Sequence, residues 1–380
     1  MTCGIITYSR ALNYGAMLQT YGLCDILRRL SCEPFVIDYI PERYDFDRAD
    51  YKEKLISSTR RWKKIPVVRD LWADRNIIQL KQNRTVFRSF LESHVELTKS
   101  YHSGEELRKD LPQADVYITG SDQVWNSDFL WSGDVDGPYF FDFLPDHSKR
   151  ISYASSFGQT VLTVKQMNAA KPLLAKYHAI SVREKRGIEI LNQMGLRGVE
   201  TLDPVLLAGA ECFRTLIPHE NIATKPFLLL FQINFDKQLY KLVRALAKAN
   251  GMEAVAVLPD VGQAHKCRGK RITLPEVEEW LWLIDNARFV VTDSLHATAF
   301  LIIFNKPFVS SVFRGYTDRI RNLLDIAGLQ NRLLMEYDYQ TLADIYSTTI
   351  DYKAVNSKIG RVRQDSMDWL CQAMNIGTSK

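Results

Sequence analysis

The sequence predicts an α/β protein of two doubly wound domains, each built on a parallel sheet with helices on both faces. Three observations predict it. Short apolar runs alternate with amphipathic stretches of helical period along most of the chain. The alternation falls into two sets, parted near residues 208–226. The length, 380 residues, suits two domains at about 150 residues each.

The first set opens with a buried strand at Cys3–Tyr8 (CGIITY). A helix runs on to about Leu30, because Leu18, Tyr21, Leu23, Ile26, Leu27 and Leu30 recur near the 3.6 period. FVIDY (35–39) is the second strand, so the chain starts β-α-β. Further strands are expected at DVYIT (115–119), YFFDF (139–143), RISYA (150–154) and AISV (179–182), with helices at 164–177 and 184–194, and VETLDPVLL (199–207) closes this half. The second set has strands at FLLLFQI (227–233), 253–258, RFVVT (288–292) and 307–312. Its helices are expected at 236–250, 275–286, 294–304 and 317–327, and Gly251 stops the first of them. A final helix at 353–374 has the length to return to the first domain. Strands alternating with helices give parallel sheets covered on both faces. The expected division is therefore 1–210 and 211–380, two Rossmann-like domains facing across a cleft, with a helical insertion at about 50–95 in the first.

Composition removes several function classes. Lys and Arg number 49 against 44 Asp and Glu, a net +5. That is too mild for a dedicated nucleic-acid binder. No run of about 18 apolar residues exists, so no spanning helix is expected. The N-terminus MTCGIITYSR lacks the basic and apolar regions of a secretory signal. Six cysteines without a CxxC pair read as reduced thiols in a cytoplasmic protein. There is no GxGxxG after the first strand, no GxxxxGK[ST], no HExxH and no His/Cys cluster. Neither a dinucleotide cofactor nor a metal is expected. The charge is uneven, however. Residues 60–90 hold nine Lys/Arg against two Asp, a local +7, with Trp62, Trp72 and Phe87 among them. This segment reads as a basic amphipathic helical insertion, either a solvated face or a contact with an anionic membrane surface.

Open α/β sheets bind ligands beyond the carboxyl ends of their strands, so the residues there are the site candidates. His296 opens a helix directly after the strand in FVVTDSLHATAF, and Thr292, Asp293 and Ser294 crowd the same turn. A helix N-terminus disfavours imidazolium, so this His titrates usefully only beside an anion. Arg183 follows AISV, where its planar fork suits the carboxylate or phosphate of a ligand; the competing reading is an Arg paired with Glu184 or a neighbouring carboxylate. Ser121, Asp122, Gln123 and Asn126 follow DVYIT and have the donors and acceptors to read sugar hydroxyls; the competing reading is a turn packed by Trp125. Asn13 and Gly15 follow the first strand, where Gly15 permits close backbone approach and Asn13 has the chemistry of a helix cap. His178 precedes a strand and reads as structural.

Taken in order, GIITYSRALNYGAMLQTYGL, FVIDY, ITGSDQVWN, ISYASSFG, ISVREKRGIEIL, LDPVLL and FVVTDSLHATAFLIIFNKPFV resemble the polysaccharide pyruvyl transferase family, from residue 4 to about 309. The resemblance implies a two-domain fold similar to the GT-B glycosyltransferases. It implies transfer of pyruvate from phosphoenolpyruvate to two hydroxyls of a sugar in a cell-surface or exopolysaccharide precursor, giving a cyclic ketal without a cofactor. In such proteins an Arg-Leu-His triplet opens a helix of the second domain, and an Arg of the first domain holds the donor. The resemblance puts His296 and Arg183 in those places. The triplet's Arg is Ser294 here, which leaves the donor short of a cation, and Arg314 and Arg319 are candidates to supply it. The chemistry agrees with the residues. Phosphoenolpyruvate needs Arg and N–H donors for its carboxylate and phosphate. Its methylene carbon must be protonated, which calls for a general acid near neutral pKa. The partners expected are phosphoenolpyruvate and a glycan or lipid-linked sugar acceptor; a lipid-linked one would place the protein peripherally at the inner membrane face through residues 60–90. Two other functions fit the same elements: a nucleotide-sugar glycosyltransferase, with Glu276, Glu278 or Glu279 holding a ribose, and a non-catalytic scaffold in polysaccharide assembly.

Overall fold

The computed structural model describes residues 1–58, 66–127, 130, 134–159, 161–220, 222, 225–311 and 317–376. These form two compact units, residues 1–204 with 365–380, and residues 205–364. The second unit begins six residues before the sequence division at 211. The final helix, Tyr352–Met374, starts in the second unit and ends in the first.

The first unit holds a six-stranded sheet. Its strands are β1 (Thr2–Ile6), β2 (Glu33–Val36), β3 (Val116–Thr119), β4 (Arg150–Ser155), β5 (Ala179–Val182) and β6 (Val199–Glu200), in the order β2-β1-β3-β4-β5-β6. The second unit holds β7 (Phe227–Phe231), β8 (Glu253–Leu258), β9 (Arg271–Thr273), β10 (Phe289–Thr292), β11 (Phe308–Ser311) and β12 (Leu333–Leu334), in the order β12-β11-β10-β7-β8-β9. Every paired strand is parallel. Strand order reverses between β1 and β3 in the first sheet and between β7 and β10 in the second. Those two switch points are where connections leave toward opposite faces and open a crevice beyond the strand ends.

The central strands are apolar throughout because both faces are covered. β7, FLLLF, is buried at all five positions. Its Leu228 and Leu230 pack with Leu239, Val243, Leu246, Val291 and Val309 in the core of the second unit. Helix starts follow their capping chemistry. Asp236 accepts from the N–H groups of Gln238 and Leu239, and Thr163 with Gln166 forms a reciprocal box.

One expected strand is not a strand. YFFDF begins in a 3-10 turn over Gly137–Phe140 and continues as an irregular turn, with Phe141 left-handed at φ 55°. Pro138 cannot donate to a ladder, and Tyr139, Phe140, Phe141 and Phe143 are instead buried, against Tyr8, Trp125, Tyr117 and Tyr177 among other rings. In VETLDPVLL only Val199–Glu200 pairs; Pro204 then opens the helix Pro204–Ala208, a position that suits its fixed φ. The edge strands β9 and β12, three and two residues long, carried no sequence signal.

The basic insertion is two helices, Tyr51–Ser58 and Pro66–His94. Its cations at 60–64 lie outside the described residues. Of those described, Lys81 and Arg84 pair with Asp47, Arg88 with Asp38 and Glu92, and Arg69 with Asp70. These charges are therefore largely balanced within the protein. No helix among the described residues is long and apolar enough to cross a membrane.

Candidate active site

At the first switch point the ends of β1 and β3 are tied together. Thr7 Oγ1 donates to the Ser121 carbonyl at 2.8 Å, and Gln19 Nε2 donates to Thr7 Oγ1 at 2.9 Å. Gly120 allows this approach: a Cβ there would lie 3.0 Å from Thr7 Cβ. Two residues on, Asp122 is buried with φ 79°, in the left-handed region that Asp enters more readily than most side chains. Its carbonyl accepts from Ser156 N at 2.9 Å, and its Oδ1 accepts from Gln123 N at 2.9 Å. Asn126 Nδ2 donates to Gln123 Oε1 at 2.9 Å. This amide pair lies over Gly158, where a Cβ would come within 2.2 Å of Gln123 Oε1. Ser121, Asp122, Gln123 and Asn126 are thus brought to one strand end, with Trp125 buried beneath them.

Arg183 stands at the end of β5 and is 7% exposed. Its Nη1 donates to Asp203 Oδ2 at 2.8 Å, its Nη2 lies 3.5 Å from Asp122 Oδ1, and its Nε lies 3.9 Å from Glu184 Oε2. Ser121 Oγ also donates to Asp203 Oδ2, at 3.3 Å, and Ser156 Oγ donates to Glu184 Oε1 at 2.7 Å. One guanidinium is therefore the hub of three carboxylates drawn from the ends of β3, β5 and β6. Burial by itself would lower its pKa, but Asp203, then Asp122 and Glu184, outweigh that and hold it above the ordinary value. Asp203 was not singled out from the sequence, although it follows β6 as Arg183 follows β5.

Asn13 is a helix cap: its Oδ1 accepts from Ala16 N at 2.7 Å. Gly15 is buried in the first turn of that helix, Tyr14–Arg29. Among the described residues, neither shares a side-chain hydrogen bond with the Asp122 loop. The cation nearest β1's end in sequence is Arg10. It forks onto Asp38, which is fully buried and also holds Arg88 at 3.1 Å and Ser100 Oγ at 2.7 Å.

At the second switch point the tie is a carboxylate. Asp293 follows β10 and accepts from Ile233 N at 2.7 Å and Asn234 N at 3.5 Å, just beyond β7. Burial pushes its carboxyl up to about 6 against the pull of those N–H groups. Ser294 is the N-cap of the helix Leu295–Ile303, accepting from Ala297 N at 3.3 Å. His296 is the second residue of that helix and is partly exposed. Thr298 Oγ1 meets Ser310 Oγ at 2.7 Å and so joins the helix to β11. Gln232, buried at the end of β7, accepts from Asp236 N through Oε1 at 3.0 Å, and its Nε2 has no partner among the described residues. Arg319 is a partly exposed residue of the helix Thr317–Ala327, and Arg314 lies outside the described residues.

Chemically, the first site offers carboxylates and amides held rigidly for hydroxyls, plus one bidentate cation. The second offers a helix N-terminus, which favours anions, a partly exposed imidazole at His296 and, three residues before it, a carboxyl that burial raises to about 6. No curated protein matches the sequence. Solved structures share the fold. The S. aureus MnaA–UDP complex aligns over 100% of this chain and 98% of its own, at 13% identity and TM-score 0.54. A putative UDP-N-acetylglucosamine 2-epimerase from Listeria monocytogenes covers 99% and 94%, at 11% and 0.55. Arabidopsis thaliana UGT89C1 with quercetin covers 98% and 99%, at 9% and 0.51. At such identities the likeness is one of fold, GT-B-like with two Rossmann-like units. The family model for polysaccharide pyruvyl transferase matches residues 13–311, which include Asp122, Arg183, Asp203, Asp293 and His296, and the chain belongs to that family.

Proposed function

We propose that the protein transfers the pyruvyl group of phosphoenolpyruvate to two hydroxyls of a sugar in a cell-surface or exopolysaccharide precursor. The observation that carries this reading is the span of the family match, which takes in the residues at both switch points. His296 is the general acid. It protonates the donor's methylene carbon, and the anion-favouring helix terminus beside it suits the donor's phosphate. Arg183 holds the donor's carboxylate. Its Nη1 stays on Asp203, and its Nη2 exchanges the long 3.5 Å contact to Asp122 for the ligand. Asp122, Gln123 and Asn126 then face the acceptor's hydroxyls. Ser294 serves as a helix cap and not as a donor ligand, so the missing cation of the family triplet falls to Arg319 or Arg314. An acceptor carried on a lipid would bring residues 60–90 to a membrane face, with the cations at 60–64 making the contact.

The test is incubation with phosphoenolpyruvate and a panel of glycosides, followed by phosphate release and mass spectrometry of the sugar. A ketal product supports the reading. Untouched phosphoenolpyruvate with consumption or tight binding of a UDP-sugar replaces it with the nucleotide-sugar reading.

A further inference from the structure

A carboxyl that this mechanism does not use sits at the first switch point. Asp136 is partly buried, and its side chain accepts from Tyr39 Oη at 2.9 Å. No Lys, Arg or His pairs with it among the described residues. Tyrosines wall it in. Tyr8 follows β1 and Tyr39 follows β2; their rings lie 4.7 and 5.3 Å from the ring of Tyr139, and Tyr44 stands 6.3 Å from Tyr8. Tyr139 is wholly buried, and its hydroxyl has no hydrogen-bond partner among the described residues. The other charged groups felt there are carboxylates. Asp142 is held by Arg108 at 2.9 Å, and Glu42 by Lys54 and Arg48 at 3.3 and 3.4 Å. The cluster also reaches the sugar-facing loop, since Tyr8 and Tyr44 both feel the charge of Asp122.

We propose that Asp136 is the general base for the acceptor, taking the proton of the sugar hydroxyl that attacks the donor. The inference rests on the pyruvyl-transfer reading. In the step, the hydroxyl oxygen bonds to the former enol carbon while the C=C pair takes a proton from the general acid at the methylene. The hydroxyl proton passes to the Asp136 carboxylate. When the second hydroxyl closes the ring, the C–O bond to phosphate breaks, and phosphate leaves with that electron pair and the second hydroxyl's proton. Solvent returns the proton from Asp136 to the acid.

The surroundings suit this role. A carboxyl buried without a cation is costly to ionise. Burial pushes Asp136 up to about 7, the Tyr39 hydrogen bond pulls it down, and Asp142 and Glu42 push it further up. The neighbouring phenols do not compete, because burial holds Tyr8, Tyr39 and Tyr139 well above the ordinary phenol range. Asp136 therefore exchanges its proton at neutral pH, which is what a base acting on a hydroxyl needs.

The experiment compares wild type, Asp136→Asn and Tyr39→Phe. Wild-type kcat/KM should rise with pH through about 7. Asp136→Asn should lose about 10²-fold in kcat and lose that limb. Tyr39→Phe removes the bond that favours the carboxylate, so its limb should move to higher pH. Wild-type kcat and an unchanged limb in Asp136→Asn overturn the proposal. Infrared difference spectra across neutrality supply a readout independent of turnover. In an Asp293→Asn background, which removes the other carboxyl raised toward neutrality, a protonated-carboxyl C=O band should fade as pH rises, shift its midpoint when Tyr39→Phe is added and be missing when Asp136→Asn is added. Retention of the band when Asp136→Asn is added overturns the assignment whatever the enzyme transfers. The band present in that background, with a wild type that consumes no phosphoenolpyruvate with any glycoside, overturns the functional reading, and the catalytic role with it.

Discussion

Replacing Arg183 separates its two duties. Arg183→Met removes the cation and leaves Asp203, Asp122 and Glu184 around an apolar chain. The guanidinium and Asp203 are 7% and 6% exposed and 2.8 Å apart. Deleting one partner of such a buried pair costs about 3–5 kcal/mol, a large part of the roughly 5–15 kcal/mol that holds a domain folded. The loss should be greater on the alkaline side than in acid, because Asp203 without this partner is easier to bury protonated than charged. Arg183→Lys keeps the charge and loses the fork. Its fold should survive, while the donor loses one charge-assisted hydrogen bond, worth about 1.5–3 kcal/mol, or roughly ten- to a hundredfold in KM. Urea titrations at two pH values report the first effect, and steady-state kinetics with phosphoenolpyruvate report the second. Arg183→Met as stable as wild type at alkaline pH refutes the hub. A wild-type donor KM in Arg183→Lys removes Arg183 from the donor site while leaving the hub intact.

Three other outcomes follow from the geometry. His296→Ala should lower kcat by about 10²-fold or more with little change in thermal stability, since the side chain is partly exposed; near wild-type turnover excludes it as the acid. Asp293 has a folded pKa of about 6 against about 3.9 unfolded, so the folded state binds more protons between those values and its stability falls as pH rises through them. Asp293→Asn keeps an acceptor for Ile233 N and should flatten that slope in urea titrations; an unchanged slope means the carboxyl is not the group responsible. Gly158→Ala should cost about 1–2 kcal/mol for a left-handed residue and about 1–3 more for displacing the Gln123–Asn126 amide pair, read as a lower urea midpoint, and a midpoint equal to wild type would show that the loop relaxes freely.

The order of elements was legible because it is written in local periodicity. Ala179–Val182, Glu253–Leu258 and Thr317–Ala327 fall where the apolar pattern puts them. The misreading at YFFDF has a physical cause. YFFDF carries the aromatic residues that strands favour, yet β-propensity describes fit to a half-buried surface and not a backbone preference. Here the rings pack between other rings, and no strand forms. In VETLDPVLL the apolar run continues through a change from strand to helix, and only Pro204 marks it. β9 and β12 are too short for any period to register.

The candidate site residues were nominated by a different rule, and its reach explains what was missed. Because ligand sites lie beyond strand carboxyl ends, each strand assigned correctly nominated the polar residues after it, which yielded Ser121, Asp122, Arg183 and His296. What the rule does not reveal is which nominees meet. Asp136 follows no strand; it comes to β1 and β2 only because the aromatic turn after it buries Tyr139 between Tyr8 and Tyr39, 97 residues away from Asp136 in the case of the Tyr39 bond. Asp203 meets Arg183 because β5 and β6 are neighbours in the sheet, a fact of strand order and not of spacing. Asn13 and Ser294 show the converse. Both occupy nominated positions, yet their side chains go to the backbone N–H groups of the helices they start. A polar residue before a helix has an acceptor's work waiting within three residues, and that local demand is met before any ligand arrives. In the function proposed here, chemistry at such a turn therefore falls to the residues beyond the cap, as with His296, or to those whose backbone departs from a cap geometry, as with Asp122 at φ 79°.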